Sequence, residues 1–517
     1  MNSSAQVVVG VGPVSPDDVV AVARHGAGVR LGDDALAEIA RSREVIEDLA
    51  ADDEGHYGVS TGFGALATRH IPAPMRAQLQ RSLVRSHAAG SGPEVEREVV
   101  RALMLLRLST LATGRTGVRT ETAQTYACLL DAGITPVVGE YGSLGCSGDL
   151  APLAHVALAL IGEGDVRDPR GDRRPAADVL RENDIAPVEL AEKEGLALIN
   201  GTDGMLGMLV LAAHDLRQLL VAADLAAAMS VEALLGTDAV FADDLHALRP
   251  HPGQQRSAAN LRHLLQGSGI MDSHRHPHDC TRVQDAYSLR CAPQVHGAAR
   301  DTLAHAEAVA GRELASAIDN PVVTRDGRVE SNGNFHGAPV GYVLDFLAIV
   351  AADVASMSER RTDRFLDANR SHGLPPFLAD DPGVDSGHMI AQYTAAGIVS
   401  EMKRLAVPAS VDSIPSSAMQ EDHVSMGWGA GRKLRRSIDG LTRVVAIEIL
   451  TAARALDLRA PLEPAPATRA ARDVVRAAGV DGPGPDRHLA PEIEAVTHAV
   501  RTGAITRAAE TVTGPLA

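Results

Sequence analysis

Aromatic side chains are scarce in this sequence, at 3% of 517 residues, although hydrophobic residues together reach 45%. A core of this size must therefore be built mostly from Ala, Leu and Val rather than from rings. Because Ala and Leu favour helices, the composition predicts a mainly α-helical protein. The length leaves room for two or three ordinary domains or for one large helical assembly.

Cysteine and positive charge are also limited. The four cysteines show neither the short spacing of a zinc ribbon nor the density of a disulfide framework, which favours a reducing cytoplasm. They are Cys128, Cys146, Cys280 and Cys291. A net charge of −17 argues against nucleic acid as a partner, since phosphates require a clustered basic surface. With no signal peptide and no uninterrupted apolar run long enough to span a membrane, we expect a cytoplasmic protein that binds neither nucleic acid nor membrane.

The N-terminal residues 7–13 look at first like a strand entering a dinucleotide-binding loop. The third glycine of that motif is missing because Ser15 stands in its place, and Pro13 would disturb the turn. A short strand followed by a helix that Ser15 caps, with Pro16 at its first position, explains the pattern better. We therefore expect a small mixed N-terminal part, and a dehydrogenase is a distant alternative.

Long helices dominate the rest of the sequence. Several apolar segments with helical spacing exceed 25 residues, which suggests a large bundle extended by association with other subunits. The predicted helical segments are residues 94–113, 117–132, 202–235, 284–318, 335–369, 385–406, 421–456, 468–478 and 490–502. A turn-rich patch at residues 165–175 predicts a surface connection. The expected domains are residues 1–200, a central long-helix bundle at 201–457, and a C-terminal helical lobe at 458–517.

The most informative stretch is residues 142–155, Gly-Ser-Leu-Gly-Cys-Ser-Gly-Asp-Leu-Ala-Pro-Leu-Ala-His. Its second half begins a helix at Asp149 that is apolar nearly all round and should be buried. Its first half is a glycine-rich turn, in which the Gly148 nitrogen could approach the Cys146 carbonyl carbon without a side-chain clash. Ring closure with loss of two waters would give an imidazolinone with a methylidene derived from Ser147. No ordinary side chain supplies such an electrophile.

On its own, a Gly-Ser-Gly turn before a helix is more typical of a helix cap or an anion-binding loop, and the order of a hydrolase elbow is absent. The whole stretch, however, closely resembles the segment of the histidine/phenylalanine/tyrosine ammonia-lyase family that forms 4-methylidene-imidazol-5-one (MIO) autocatalytically. The family usually has Ala-Ser-Gly, and this chain has Cys146-Ser147-Gly148. Since only the carbonyl of the first residue takes part, Cys146 should serve as well. The resemblance also implies an ammonia-lyase/fumarase-like helical bundle and a homotetramer with shared active sites.

Four further segments resemble the same family. Residues 57–64 are similar to the family's mobile loop, which carries its essential tyrosine, here Tyr57. Residues 86–90 are similar to its selectivity segment, where His87 matches the histidine and tyrosine lyases. Residues 200–204 are similar to its Asn-Gly motif, which implies that Asn200 bonds the cofactor carbonyl or the substrate. Residues 332–337 resemble the segment that places a phenylalanine, here Phe335, beside the cofactor.

Gln284, Tyr287, Arg290 and Gln294 fall on one arc of about 120° if they share a helix, which predicts a polar stripe. Their segment also looks like a helix of the lyase family. That resemblance implies that Arg290 pairs with the substrate carboxylate, that Gln284 contacts the substrate, and that Tyr287 is a second proton-handling group. The sequence leaves open whether Tyr57 or Tyr287 is the base.

Residues 419–426 resemble the histidine-specific members of the family, although Met419 stands where Asn is more familiar. Glu421 is a sensible partner for an imidazole. The resemblance thus implies elimination of ammonia from L-histidine to give urocanate. The alternatives are a tyrosine or phenylalanine ammonia-lyase, an aminomutase with the same cofactor, or a non-catalytic helical scaffold.

A separate cluster at residues 274–280 contains three histidines and Cys280 and could ligate a transition metal. Arg275 and Pro277 fit a surface loop, and no second group of ligands is evident. We therefore expect no metal.

Overall fold

The computed structural model describes residues 6–51, 55–62, 69–275 and 283–517. Within them the chain is mainly α-helical, as its composition predicts. The helices up to residue 233 are α1 (Pro16–Arg24), α2 (Asp33–Ala51), α3 (Arg76–His87), α4 (Arg97–Ala112), α5 (Thr120–Asp131), α6 (Leu150–Leu160), α7 (Ala176–Glu182), α8 (Glu194–Ile199) and α9 (Asp203–Ala233).

The later helices include the longest ones. They are α10 (Asp243–Ala247), α11 (Pro252–Leu265), α12 (Gly269–Asp272), α13 (Tyr287–Arg290), α14 (Ala292–Leu314), α15 (Ala338–Leu366), α16 (Met389–Leu405), α17 (Gly427–Asp457), α18 (Pro466–Ala477), α19 (Leu489–Arg501) and α20 (Ala504–Thr513). The predicted long helices at 202–235, 335–369 and 385–406 are confirmed to within four residues at either end.

The strands are short and paired locally. They are β1 (Gln6–Val9), β2 (Gly28–Leu31), β3 (Ser91–Glu94), β4 (Thr135–Pro136), β5 (Gly139–Tyr141), β6 (Asp165–Arg167), β7 (Arg173–Pro175), β8 (Val322–Val323) and β9 (Val329–Glu330). The pairs are β1–β2, which is parallel, and β3–β5, β4–β6, β6–β7 and β8–β9, which are antiparallel. The predicted surface connection at residues 165–175 is thus the β6–β7 hairpin.

The predicted start of the chain is confirmed. Strand β1 precedes α1, and the Ser15 hydroxyl accepts from the Asp18 backbone N–H at 3.1 Å. The Asp18 carboxylate in turn accepts from the Ser15 N–H at 2.9 Å. This reciprocal cap fixes the first turn of α1, where Pro16 needs no hydrogen-bond acceptor.

The chain divides into two compact units. The first consists of residues 1–211, 307–345 and 408–432, and the second of residues 212–306, 346–407 and 433–517. Each unit is made of stretches that are not consecutive, so the three consecutive domains expected from the sequence stay a prediction.

The cores of both units are aliphatic, as the scarcity of rings predicts. In the first unit α4 and α6 are buried almost throughout. In the second unit the residues of α17 from Val444 to Leu456 are buried almost without interruption. Helices α9 and α15 are long and apolar enough to cross a membrane by length and composition, but their most apolar windows are 78% and 61% buried within the fold. Such burial is typical of core helices.

Candidate active site

The glycine-rich turn at residues 142–148 lies in the first unit and is held from several sides. Gly145 has a φ of +66°, and a Cβ there would lie 2.1 Å from the Ser425 hydroxyl oxygen. That hydroxyl donates to the Gly145 carbonyl at 3.0 Å, and the Met426 N–H donates to the Leu144 carbonyl at 2.9 Å. Only glycine can therefore occupy position 145 without moving these neighbours.

Gly148 is restricted even more tightly. Its φ is +80°, and a Cβ would lie 2.0 Å from the carbonyl oxygen of Gly201. The same oxygen accepts from the Asp149 N–H at 2.7 Å. Conformation and space thus both require glycine after Ser147, and the turn is fixed against the start of residues 200–204.

Asp149 stands directly before α6, as predicted, but its carboxylate stabilises a different helix. One oxygen accepts from the N–H groups of Gly204 and Met205, both at 2.9 Å, in the first turn of α9. The other accepts from the Ser143 hydroxyl at 2.8 Å. Burial raises the pKa of Asp149 to about 7, although these hydrogen bonds favour the ionised form.

Asn200 follows the last residue of α8 and points at the turn. Its side-chain nitrogen donates to the Ser147 carbonyl at 3.3 Å. Its side-chain oxygen is buried and accepts no hydrogen bond from any residue that the structure describes. A buried acceptor without a donor is unfavourable, so this oxygen marks a place for a ligand donor beside Ser147.

His87, Glu421 and Cys146, which belong to three separate motifs, come together in this unit. Burial lowers the pKa of His87, and the nearby Glu421 carboxylate partly opposes that shift. Burial also raises the pKa of the Cys146 thiol to about 12, and Glu421 adds to this rise. The Ser416 hydroxyl donates to Glu421 at 2.9 Å. The His87 Nδ1 atom lies 2.9 Å from the Leu83 carbonyl, an arrangement that leaves the Nε2 lone pair as the acceptor.

The loop with Tyr57 is anchored at its next residue. Gly58 has a φ of +76°, and a Cβ there would lie 3.0 Å from Leu196 in α8 and 3.3 Å from Pro321. Val59 is fully buried in a small apolar cluster. Tyr57 itself is half-buried, and the last two residues of its motif, at positions 63 and 64, lie outside the described residues.

The segment with Phe335 flanks the same turn. The N–H of Gly337 donates to the Gly145 carbonyl at 3.5 Å, and a Cβ on Gly337 would lie 2.5 Å from the Met205 sulfur. Phe335 is half-buried. The structure thus places the segments of Asn200 and Phe335 around Cys146-Ser147-Gly148, with Glu421 next to Cys146 and also close enough to His87 to shift its pKa.

Gln284, Tyr287 and Arg290 belong to the second unit and line a cavity of about 420 Å³. Three further basic side chains line it, namely Arg364, Arg370 and His372. The Arg290 guanidinium carbon lies 4.7 Å from the centre of the Tyr287 ring, and Tyr287 is 70% exposed. The Arg290 Nε is buried and donates to no acceptor in the described parts of the chain. A carboxylate would satisfy it.

The prediction of a polar stripe along one helix is wrong. Gln284 precedes α13, and Cys291 separates α13 from α14, which contains Gln294. Pro293 provides the physical reason, because its ring would clash with the carbonyl four residues earlier in a continuous helix. The proline is instead the second residue of a new helix, a position that it tolerates.

Sequence reasoning missed two sets of residues. Arg107 is fully buried, and its guanidinium donates to the carbonyl oxygens of Asn200 at 2.7 Å and Ile318 at 2.8 Å. Its position in the apolar run Leu105-Leu106-Arg107-Leu108 was the signal for such a role. Arg364 and Arg370 gave no signal, because the acidic residues around them suggest a solvated surface.

The possible metal cluster is only partly described. Both ring nitrogens of His274 contact backbone carbonyls, those of Ile270 at 2.9 Å and Gly236 at 2.8 Å. The other proposed ligands, at positions 276, 278 and 280, lie outside the described residues. Elsewhere in the described chain, no three His, Cys, Asp or Glu side chains come together as metal ligands would.

Comparisons with known proteins find relatives that cover almost the whole chain. A histidine ammonia-lyase from Streptomyces avermitilis is 68% identical over 511 residues, which cover 99% of each chain. The solved structure of a tyrosine aminomutase from Streptomyces globisporus is similar with a TM-score of 0.94 and 38% identity, over 99% of this chain and 100% of that chain. A histidine ammonia-lyase from Trypanosoma cruzi has a TM-score of 0.90 and 38% identity, over 98% and 95% of the two chains.

The family model agrees with these individual similarities. It describes the aromatic amino acid lyases and matches residues 14–477, which is most of the sequence. The chain belongs to the aromatic amino acid lyase family.

Proposed function

We propose that this protein eliminates ammonia from L-histidine and releases trans-urocanate. The observation that carries the proposal is that Glu421 lies next to Cys146 in the first unit and is close enough to His87 to shift its pKa. The neutral His87 imidazole, through Nε2, and the Glu421 carboxylate are both acceptors, so together they can accept from both ring N–H groups of the imidazolium form of a histidine substrate. The relatives that carry the name histidine ammonia-lyase support the same substrate.

The cofactor of the proposed reaction is MIO, formed by the chain itself from Cys146-Ser147-Gly148. In its formation the Gly148 nitrogen bonds to the Cys146 carbonyl carbon, and two waters leave, one of them with the Ser147 hydroxyl. Two observations support the fit of these residues to the group. Gly148 has a conformation and surroundings that exclude a side chain, and the Asn200 side-chain nitrogen donates to the Ser147 carbonyl while its buried oxygen lacks a donor among the described residues.

MIO would supply an electrophilic carbon that turns the substrate amine into a better leaving group. The substrate is positioned by His87 and Glu421 at its imidazole and by Arg290, with Gln284, at its carboxylate. Asn200 stabilises charge that develops next to Ser147, and Phe335 shields the site from water.

The proton transfer is assigned to the tyrosines. Tyr57 takes the β-proton, the electrons of that C–H bond form the new double bond, and the amine leaves with the electrons of the broken C–N bond. Tyr287 is the second proton-handling group. Its ring lies under the Arg290 guanidinium, so a proton at Tyr287 is close to the group that holds the carboxylate.

We further propose that the protein acts as a cytoplasmic homotetramer with active sites shared between subunits. In the second unit, α15 and α16 expose large apolar side chains, with Phe346 and Ile349 each 44% exposed and Tyr393 61% exposed. Exposed apolar groups on neighbouring turns are typical of a subunit interface. The cysteines Cys128, Cys146 and Cys291 form no disulfide among the described residues, which fits a reducing compartment.

The reaction is tested by incubating the purified protein with L-histidine and following urocanate by its ultraviolet absorbance. A parallel panel with L-tyrosine and L-phenylalanine, with identification of β-amino acids, distinguishes the alternative lyase and aminomutase activities. We expect turnover of L-histidine alone, and a Ser147→Ala variant that folds normally but has lost nearly all activity. Turnover confined to another amino acid, or an active Ser147→Ala variant, would contradict the proposal.

Sharing of sites between subunits is tested by mixing two variants at an L-histidine concentration far below KM, where each alone has lost most of its activity. Ser147→Ala removes the electrophile, and Arg290→Gln removes the carboxylate partner. If the two residues of one site come from different protomers, mixed tetramers contain some sites with both wild-type residues and regain activity. Mixtures that stay inactive, although mixed tetramers form, would place both residues of a site on one protomer.

A further inference from the structure

A buried ion pair with no part in the proposed chemistry lies close to the site in the first unit. The Lys193 ammonium lies 2.5 Å from the Asp319 carboxylate, and both side chains are completely buried. Burial lowers the pKa of Lys193 and raises the pKa of Asp319, and each partner's charge opposes the shift of the other. Such a pair contributes little net stability compared with apolar side chains of the same size. Its location therefore matters more than its strength.

Lys193 is connected to Asn200 through one short helix. It has a φ of +71°, a left-handed conformation that is unfavourable for lysine, and its carbonyl accepts from the Ala197 N–H at 3.0 Å in α8. Asn200 directly follows α8. The position of Lys193 thus determines where α8 begins, and α8 in turn determines where the Asn200 side chain meets Ser147.

Asp319 is connected to the segment with Phe335. Its carbonyl accepts from the Asn332 side-chain nitrogen at 2.9 Å, and the side chain of the next residue, Asn320, accepts from the Asn332 N–H at 3.0 Å. Arg107 joins the Asn200 side to the Asp319 side, because its guanidinium donates both to the carbonyl of Asn200 and to that of Ile318, the residue before Asp319.

The loop with Tyr57 rests on both sides of the pair. A Cβ added to Gly58 would lie 3.3 Å from Pro321, two residues after Asp319, and 3.7 Å from the Lys193 side chain. The backbone next to Tyr57 therefore lies directly on the lysine stem and on the chain that follows the aspartate.

We propose that Lys193 and Asp319 form a positioning pair that fixes Tyr57, Asn200 and Phe335 relative to one another. Neither residue touches the substrate. The pair joins the three chain segments at one rigid point, so that its loss displaces groups whose placement sets the rate. This inference rests on the proposed function, because it takes these three residues as parts of the active site.

The test uses Lys193→Met, the double variant Lys193→Met/Asp319→Leu, and Arg300→Met as a control. Arg300 pairs with buried Asp224 in the second unit, and among the described residues no hydrogen bond or ion pair joins it to a proposed site residue. Lys193→Met should lower the melting temperature, since it leaves Asp319 unpaired. The double variant should regain most of that stability.

Lys193→Met and the double variant should both have a kcat for L-histidine that is about ten- to a hundredfold lower than that of wild type, with little change in KM. Both should keep the mass loss of two waters. The control should be destabilised with unchanged kcat.

The outcomes are decisive because folding and rate are read separately. A double variant with wild-type kcat would show that the pair only supports the fold, and a double variant that does not fold would show the same, so either would overturn the proposal. Failure of the proposed function appears instead in the wild-type protein, as absent urocanate or an unaltered mass. If Lys193→Met alone does not fold, the double variant carries the test.

Discussion

The two parts of the proposed active site are built in different ways. The turn at residues 142–148 in the first unit is bonded by the chain around Gly201, Ser425 and Gly337, and two of its glycines admit no side chain. The segment before and within α13 in the second unit is open, with Val283 98% and Tyr287 70% exposed. The difference teaches that the turn proposed to form the electrophile is held by rigid contacts within one unit. The residues proposed to bind the substrate carboxylate lie on an open surface, as the proposed sharing between subunits would require.

Apart from the loss of activity in Ser147→Ala, the largest effect is expected at Asn200, where the rigid part of the site meets the reacting atoms. Asn200→Ala removes the bond to the Ser147 carbonyl and the buried acceptor, and we expect kcat to fall about a hundredfold to a thousandfold. Steady-state kinetics with L-histidine measures the change. Asn183→Ala, which removes only a local hydrogen bond to the Val179 carbonyl at the end of α7, is the control and should keep wild-type kcat. A similar kcat for Asn200→Ala and wild type would exclude Asn200 from the reaction.

A smaller effect is expected at Arg290 in the open part of the site. Arg290→Gln should raise KM for L-histidine about ten- to a hundredfold, because it removes a charge-assisted bond to the carboxylate. Arg501→Gln, at an exposed ion pair, serves as control and should leave KM unchanged. For histidinamide, which has an amide in place of the carboxylate, the KM values of wild type and Arg290→Gln should be similar. An unchanged KM for L-histidine would show that Arg290 does not bind the substrate carboxylate.

The contribution of Asp149, in the rigid part of the site, to the stability of the protein should depend on pH. Because burial raises the folded-state pKa of Asp149 from 3.8 to about 7, its contribution to stability is complete below the lower value and is lost as the pH rises towards 7. The free energy of unfolding of the wild type, compared with Asp149→Asn, should therefore decline with rising pH in this window, by at most about 1.4 kcal/mol per pH unit. Denaturant titrations at several pH values measure it. A difference that stays constant across this window would mean that Asp149 is already ionised in the folded state.

The smallest effect is expected at Cys146. Only its carbonyl enters the proposed ring, and its thiol is buried next to Glu421, so Cys146→Ala should change kcat by less than about threefold. The intact mass should still be lower by two waters than the mass that the sequence requires. Loss of ring formation in this variant would mean that the thiol takes part in cyclisation.

Much of the fold followed from local patterns. Ser15 and Pro16 defined the first helix because capping depends on neighbouring residues alone, and long apolar periodicity located α9, α15 and α16. The break at Cys291 was missed, although Pro293 signalled it, because the polar residues around it matched a helical period.

For the site, motifs identified the residues but not the contacts between them. The bonds of Asp149 to α9 depend on the approach of two helices, which no local pattern contains. The Lys193–Asp319 pair joins residues 126 positions apart, and a lysine before a short helix looks like a surface residue. Only the assembled chain shows that both side chains are buried.

The central claim is that Ser147 loses its hydroxyl while the main chain on either side closes into a ring. Peptide mass spectrometry of an active preparation tests it directly. We expect the peptide containing Cys146-Ser147-Gly148 to be lighter by two waters in wild type. The Ser147→Ala protein should be inactive, and its corresponding peptide should show no dehydration at position 147. An active preparation whose peptide has the full, unaltered mass would contradict the account.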